Sequence, residues 1–155
     1  MKLAEGLILR ADLKKRTEQL RERLRRNAKV QEGDEPAERP EDLLAELDRI
    51  AAELELLIRR VNWTNANLKF DPDHRISDAI AMRDTLDLRI RTLRSVIDEV
   101  SQRERWLTRT EVKFVVRVDA AALQKQLDDL SRRRRDLDAR LQAINWQEDL
   151  LEPSY

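Results

Sequence analysis

Leu43-Leu44-Ala45-Glu46-Leu47-Asp48-Arg49-Ile50-Ala51-Ala52-Glu53-Leu54-Glu55-Leu56-Leu57-Ile58-Arg59-Arg60-Val61 decides the fold of this 155-residue chain. Leu43, Leu47, Ile50, Leu54, Leu57 and Val61 recur at steps of three and four, with no polar residue in the series. That spacing puts all six in one stripe along a helix, and such a stripe needs a partner helix to cover it. Leu44, Ala51 and Ile58 form a second stripe beside the first. A surface this wide predicts contact with two neighbouring helices.

Three other stretches repeat the pattern. Upstream, the seam reads Leu3, Leu7, Arg10, Leu13, Thr17, Leu20, Leu24, Asn27. Downstream it reads Ala79, Arg83, Leu86, Ile90, Leu93, Ile97, Val100, Glu104, Leu107, and finally Leu123, Leu127, Leu130, Arg134, Leu137, Leu141, Ile144. The seams predict helices over about 2–28, 41–65, 78–108 and 120–147. The linker from Lys29 to Pro40 carries Gly33, Pro36 and several acids, and Pro40 suits a first helical turn. Ser77 is a candidate N-cap for the third helix and Asp119 for the fourth.

Between helices three and four the period changes. In Glu111-Val112-Lys113-Phe114-Val115-Val116-Arg117-Val118, Val112, Phe114, Val116 and Val118 alternate as on one face of an extended strand. A lone strand leaves its backbone groups without a ladder, so the segment is a candidate for pairing between copies. The expected architecture is therefore a single all-α domain over 1–155. It is an antiparallel four-helix bundle of heptad-patterned helices, with one short extended segment at 111–118.

Composition narrows function mostly by exclusion. Charged residues make up 40% of the chain, but 31 bases balance 31 acids, so no net field draws it to nucleic acid or an anionic membrane. The absence of cysteine rules out disulfides and thiolate metal sites. The apolar run Leu7 to Leu9 falls short of the roughly 7–15 residues of a secretory core, and no stretch reaches the about 20 needed to span a bilayer. A cytoplasmic protein is expected.

Arg132-Arg133-Arg134-Arg135 looks basic, yet four consecutive helical residues point in four directions. Asp128, Asp129 and Asp136 precede Arg132, Arg133 and Arg140 by four, which predicts a self-paired, solvated face and not a nucleic-acid patch. The one histidine, His74, stands among Asp71, Asp73 and Asp78, a weak candidate for a divalent metal against the simpler reading of a Pro–Asp turn. Arg10, Asn27, Arg83, Glu104 and Arg134 interrupt the seams, where they either specify pairing or snorkel to the rim. Asn62 and Asn65 flank Trp63, while Trp106 and Trp146 lie near helix ends as packing caps or interface anchors.

Several segments resemble the septicolysin-like family. They are Leu9-Arg10-Ala11-Asp12-Leu13, Arg26-Asn27-Ala28-Lys29-Val30-Gln31-Glu32-Gly33, Val61-Asn62-Trp63-Thr64-Asn65, Glu111-Val112-Lys113-Phe114-Val115 and Asp119-Ala120-Ala121-Ala122-Leu123-Gln124-Lys125-Gln126. The resemblance covers nearly the whole chain. It implies a small bacterial helical protein and a homo-oligomer, with six subunits as one candidate number. It also implies a pore-forming toxin as one possible role, and it supplies no catalytic residues.

The residues thus support a self-associating helical scaffold without enzymatic activity or cofactor, binding itself and no nucleic acid. Two alternatives are a septicolysin-like cytolysin that engages membranes, and a metal-dependent hydrolase built on Asp71, Asp73, His74 and Asp78.

Overall fold

A computed structural model of the chain describes residues 1–102 and 114–153. Four long helices account for most of them: α1 (Leu3–Asn27), α2 (Pro40–Asn67), α3 (Ile76–Ser101) and α4 (Ala120–Gln147). Among the described residues there is no strand, and the protein is an all-α helical bundle, as the seams require.

The helix ends follow local chemistry. Pro40 occupies the first turn of α2. The Asp119 carboxylate accepts the backbone N–H of Ala122 at 3.0 Å, capping α4. Ser77 does not cap α3, which begins one residue earlier at Ile76. There the Asp78 carboxylate accepts the Arg75 backbone N–H at 2.7 Å, and this charge-assisted bond sets the start of the helix. Gly33 takes φ +88 in the loop after α1, a conformation that suits a residue without Cβ.

The chain divides into two compact units, residues 1–69 with 142–155, and residues 70–141. In the first, α1 and α2 pack antiparallel. Leu13, Leu20 and Asn27 on α1, and Leu43, Ile50 and Leu57 on α2, are buried at intervals of seven. The alternate seam positions, Arg10, Thr17 and Leu24 with Leu47 and Leu54, are only half-buried. A pair of helices dries one position of each heptad and leaves the other at the rim.

The second stripe of α2 finds no second neighbour. Leu44 remains 50% exposed, Ala51 is exposed and Ile58 half-buried. One partner helix covers one face, which is why the wider contact expected of this stripe does not form within the described chain.

In the second unit α3 and α4 also run antiparallel, with Ile90, Leu127 and Leu130 at the centre and Leu86, Leu93 and Ile97 packed against them. No described seam position on any of the four helices is exposed.

Replacing Leu13, fully buried, with Ala is expected to cost about 2–5 kcal/mol in urea unfolding. The same truncation at Ile8, 59% exposed, is expected to stay within about 0.5 kcal/mol.

Candidate interaction surface

The polar seam residues separate into intrachain fasteners and surface groups. Asn27 is buried. Its amide donates to the Arg23 carbonyl at 2.8 Å, and its Oδ1 accepts the Glu38 backbone N–H at 3.0 Å. Arg23 forks onto the Glu38 carboxylate (Nε to Oε2, 3.1 Å) and reaches Glu46 at 3.7 Å. These contacts fold the linker back along α1. The Arg23 hydrogen bonds hold the Glu38 carboxyl below its ordinary range.

In the second unit Arg134 Nε donates to Asp87 Oδ1 at 2.9 Å, with Asp138 at 3.6 Å. The hydrogen bond from Arg134 holds the Asp87 carboxyl below its ordinary range. Arg83 turns to its neighbour Asp84 at 3.0 Å, while Arg10 is half-buried and forms no ion pair with a described residue. Asn62 is exposed and Asn65 half-buried. Glu104, Trp106 and Val112 lie outside the described residues.

The first unit is closed by a clasp that the seams did not reveal. Leu3 N–H donates to the Glu148 carbonyl and Leu150 N–H to the Met1 carbonyl, each at 3.0 Å. Lys2 pairs with Asp149 at 2.9 Å. Leu150 is buried over Gly6, where a Cβ would meet Leu150 Cδ2 at 3.0 Å. Thr64, fully buried, accepts the Leu151 N–H at 2.9 Å, and Arg60 pairs with Glu152 at 2.7 Å.

The histidine loop is a turn held by one carboxylate. Asp71 Oδ1 accepts the backbone N–H groups of Asp73 (3.0 Å) and His74 (2.8 Å) and lies 2.9 Å from His74 Nδ1. Partial burial alone would raise the Asp71 carboxyl, but the hydrogen bonds from His74 and Asp73 outweigh it and hold the group below its usual range. Asp78 serves the start of α3 instead of His74. Among the described residues, no group of three or more His, Cys, Asp or Glu side chains could hold a metal ion.

Phe114, Val116 and Val118 belong to an irregular, exposed stretch and pair with no strand among the described residues. Trp146 on α4 is 55% exposed.

An open groove of about 470 Å³ lies along α3 and α4. Each helix lines it with residues at i, i+3, i+4 and i+7 from Met82 and Arg133 respectively. Met82, Leu86 and Leu137 make an apolar floor, and Arg89, Arg133 and Arg140 stand around it against the single acid Asp136. Arg140 leans over the Phe70 ring at 4.3 Å, with Asp71 4.0 Å away. The i, i+4 pairs expected at Asp128/Arg132, Asp129/Arg133 and Asp136/Arg140 do not form. An exposed pair of that kind gains only about 0.3–0.5 kcal/mol against the entropy of two long side chains. Arg89 and Arg133 form no ion pair with a described residue.

The model of a family of unknown function, DUF6847, matches residues 10–150. The chain belongs to this family. It is also similar to a solved structure described as a functionally unknown conserved protein from Corynebacterium diphtheriae. The two are 35% identical with a TM-score of 0.91, over 97% of this chain and 99% of that one. No curated protein matches.

For this DUF6847 member, sequence periodicity found the seam polar groups but missed Gly6, Thr64 and the α3–α4 groove. Gly6 and Thr64 carry no pattern of their own, and their roles depend on residues 144 and 87 positions away in the chain. The groove has a trace in sequence only in retrospect, as the matching heptad fragments around Leu86 and Leu137.

Asn27→Ala leaves the half-buried Glu38 N–H without its acceptor and is expected to cost about 0.5–1.5 kcal/mol, with faster amide exchange at Glu38. Because the folded Asp87 carboxyl lies below its unfolded value, its contribution to stability is present above about pH 4 and lost as the pH falls through the folded value. Asp87→Asn is expected to be less stable near neutrality and to lose less stability between about pH 5 and 2, followed by thermal unfolding across pH.

Proposed function

We propose that this protein is a self-associating helical scaffold of the cytoplasm that works by presenting helix surfaces to further copies, without catalysis or a cofactor. The observation that carries this reading is the heptad stripe Leu44, Ala51 and Ile58 on α2, exposed at its first two positions and half-buried at the third. Single exposed apolar residues are ordinary, whereas a stripe repeating every seven positions is the pattern by which helices recognise helices. On α3, Met82 and Leu88 are also exposed apolar side chains.

A second reading, a septicolysin-like cytolysin, draws on the exposed apolar run Phe114, Val115, Val116 and Val118 together with the resemblance of its flanking segments. Among the described residues, no helix is long and apolar enough to cross a membrane.

Size-exclusion chromatography with light scattering tests the scaffold. The expected mass is a multiple of the 18.3 kDa chain that falls on dilution. A lone 18.3 kDa species at every concentration would overturn it. Dye release from liposomes is expected to be absent, and release would favour the cytolysin.

A further inference from the structure

The outer face of α2 and the α3–α4 groove are matched in charge and spacing. Along α2, Glu41, Asp48 and Glu55 alternate with Leu44, Ala51 and Ile58, so that acids recur every seven residues and apolar side chains fill the steps between them. None of these three acids forms an ion pair with a described residue. The groove presents the complement: Arg133 and Arg140, also seven apart, bracket Leu137, with Arg89 beside them and an apolar floor beneath. Seven residues on a helix span about 10 Å, so two acids on one rod match the spacing of Arg133 and Arg140 on the other, where Arg140 is shared with Asp71. The small Ala51 and Ala52 between the acids let a helix approach the floor closely.

We infer that the acidic outer stripe of α2 in one copy seats in the basic α3–α4 groove of a second copy. This deepens the self-association proposed above and rests on it. The two surfaces differ, so the contact is head-to-tail, and each copy keeps a free stripe and a free groove. Such an interface propagates until a ring closes or a filament grows. Leu44 and Ala51 gain the cover that α1 does not provide, and the guanidinium groups of Arg89 and Arg133 gain carboxylate partners.

Charge reversal tests the pairing in the full-length protein, by sedimentation equilibrium with helicity checked by circular dichroism. Arg89→Glu with Arg133→Glu spares Arg140, which packs on Phe70. That double variant, and Asp48→Arg with Glu55→Arg, are each expected to weaken association roughly tenfold or more. The quadruple variant carrying both sets re-forms the opposite-charge match, and association returns. The unaltered protein is expected to associate less tightly as salt rises. Association indifferent to both double variants, or to salt, would overturn the inference while leaving self-association standing, as would a quadruple variant that stays dissociated. A monomeric parent protein would overturn both.

Discussion

An aliphatic stripe on a helix can be kept dry only by another helix, and in this chain each seam has one principal partner within its unit. That constraint explains the alternation of burial in the first unit, where Leu13, Leu20, Leu43, Ile50 and Leu57 are closed off while Leu24, Leu47 and Leu54 sit at the rim. In the second unit, too, only some seam positions are fully closed off, Ala79 and Ile90 on α3 and Leu127, Leu130 and Leu141 on α4. Two-helix pairs have a narrow interior. What they fail to bury stays on the surface as patterned apolar area.

The polar groups show how such narrow pairs are held in register. Asn27 and Arg23 tie the linker to α1, Arg134 and Asp87 bridge α3 and α4, and the clasp through Lys2, Asp149, Leu150 and Thr64 closes one end of the first unit. Most of these pairs are at least partly open to solvent, where an individual ion pair contributes little. Their value is directional: each fixes which residue lies opposite which, a choice that repetitive leucines leave open.

Much of this architecture was legible in the residues because periodicity is a local property. Steps of three and four located all four seams, and Pro40 and Asp119 marked two helix starts. Ser77 misled because a hydroxyl at the expected place competes with Asp78, whose carboxylate makes the stronger bond to the Arg75 N–H. Periodicity also overstated the local ion pairs of α4, since spacing permits a contact without making it favourable. The groove, the Gly6–Leu150 contact and the Thr64 hydroxyl were out of reach for a different reason: each depends on residues distant in sequence. A pattern confined to one helix does not say which partner faces it.

On the proposed self-association, surface left uncovered by these pairs is covered by further copies of the chain. Hydrogen–deuterium exchange measured across a dilution series reads that directly, residue by residue. The account predicts that amides around Leu44–Leu56 on α2, and around Met82–Arg89 and Arg133–Arg140 on α3 and α4, become more protected as concentration rises, while the rest of the chain changes little. Protection at those helices that is the same at the lowest and highest concentrations would contradict it.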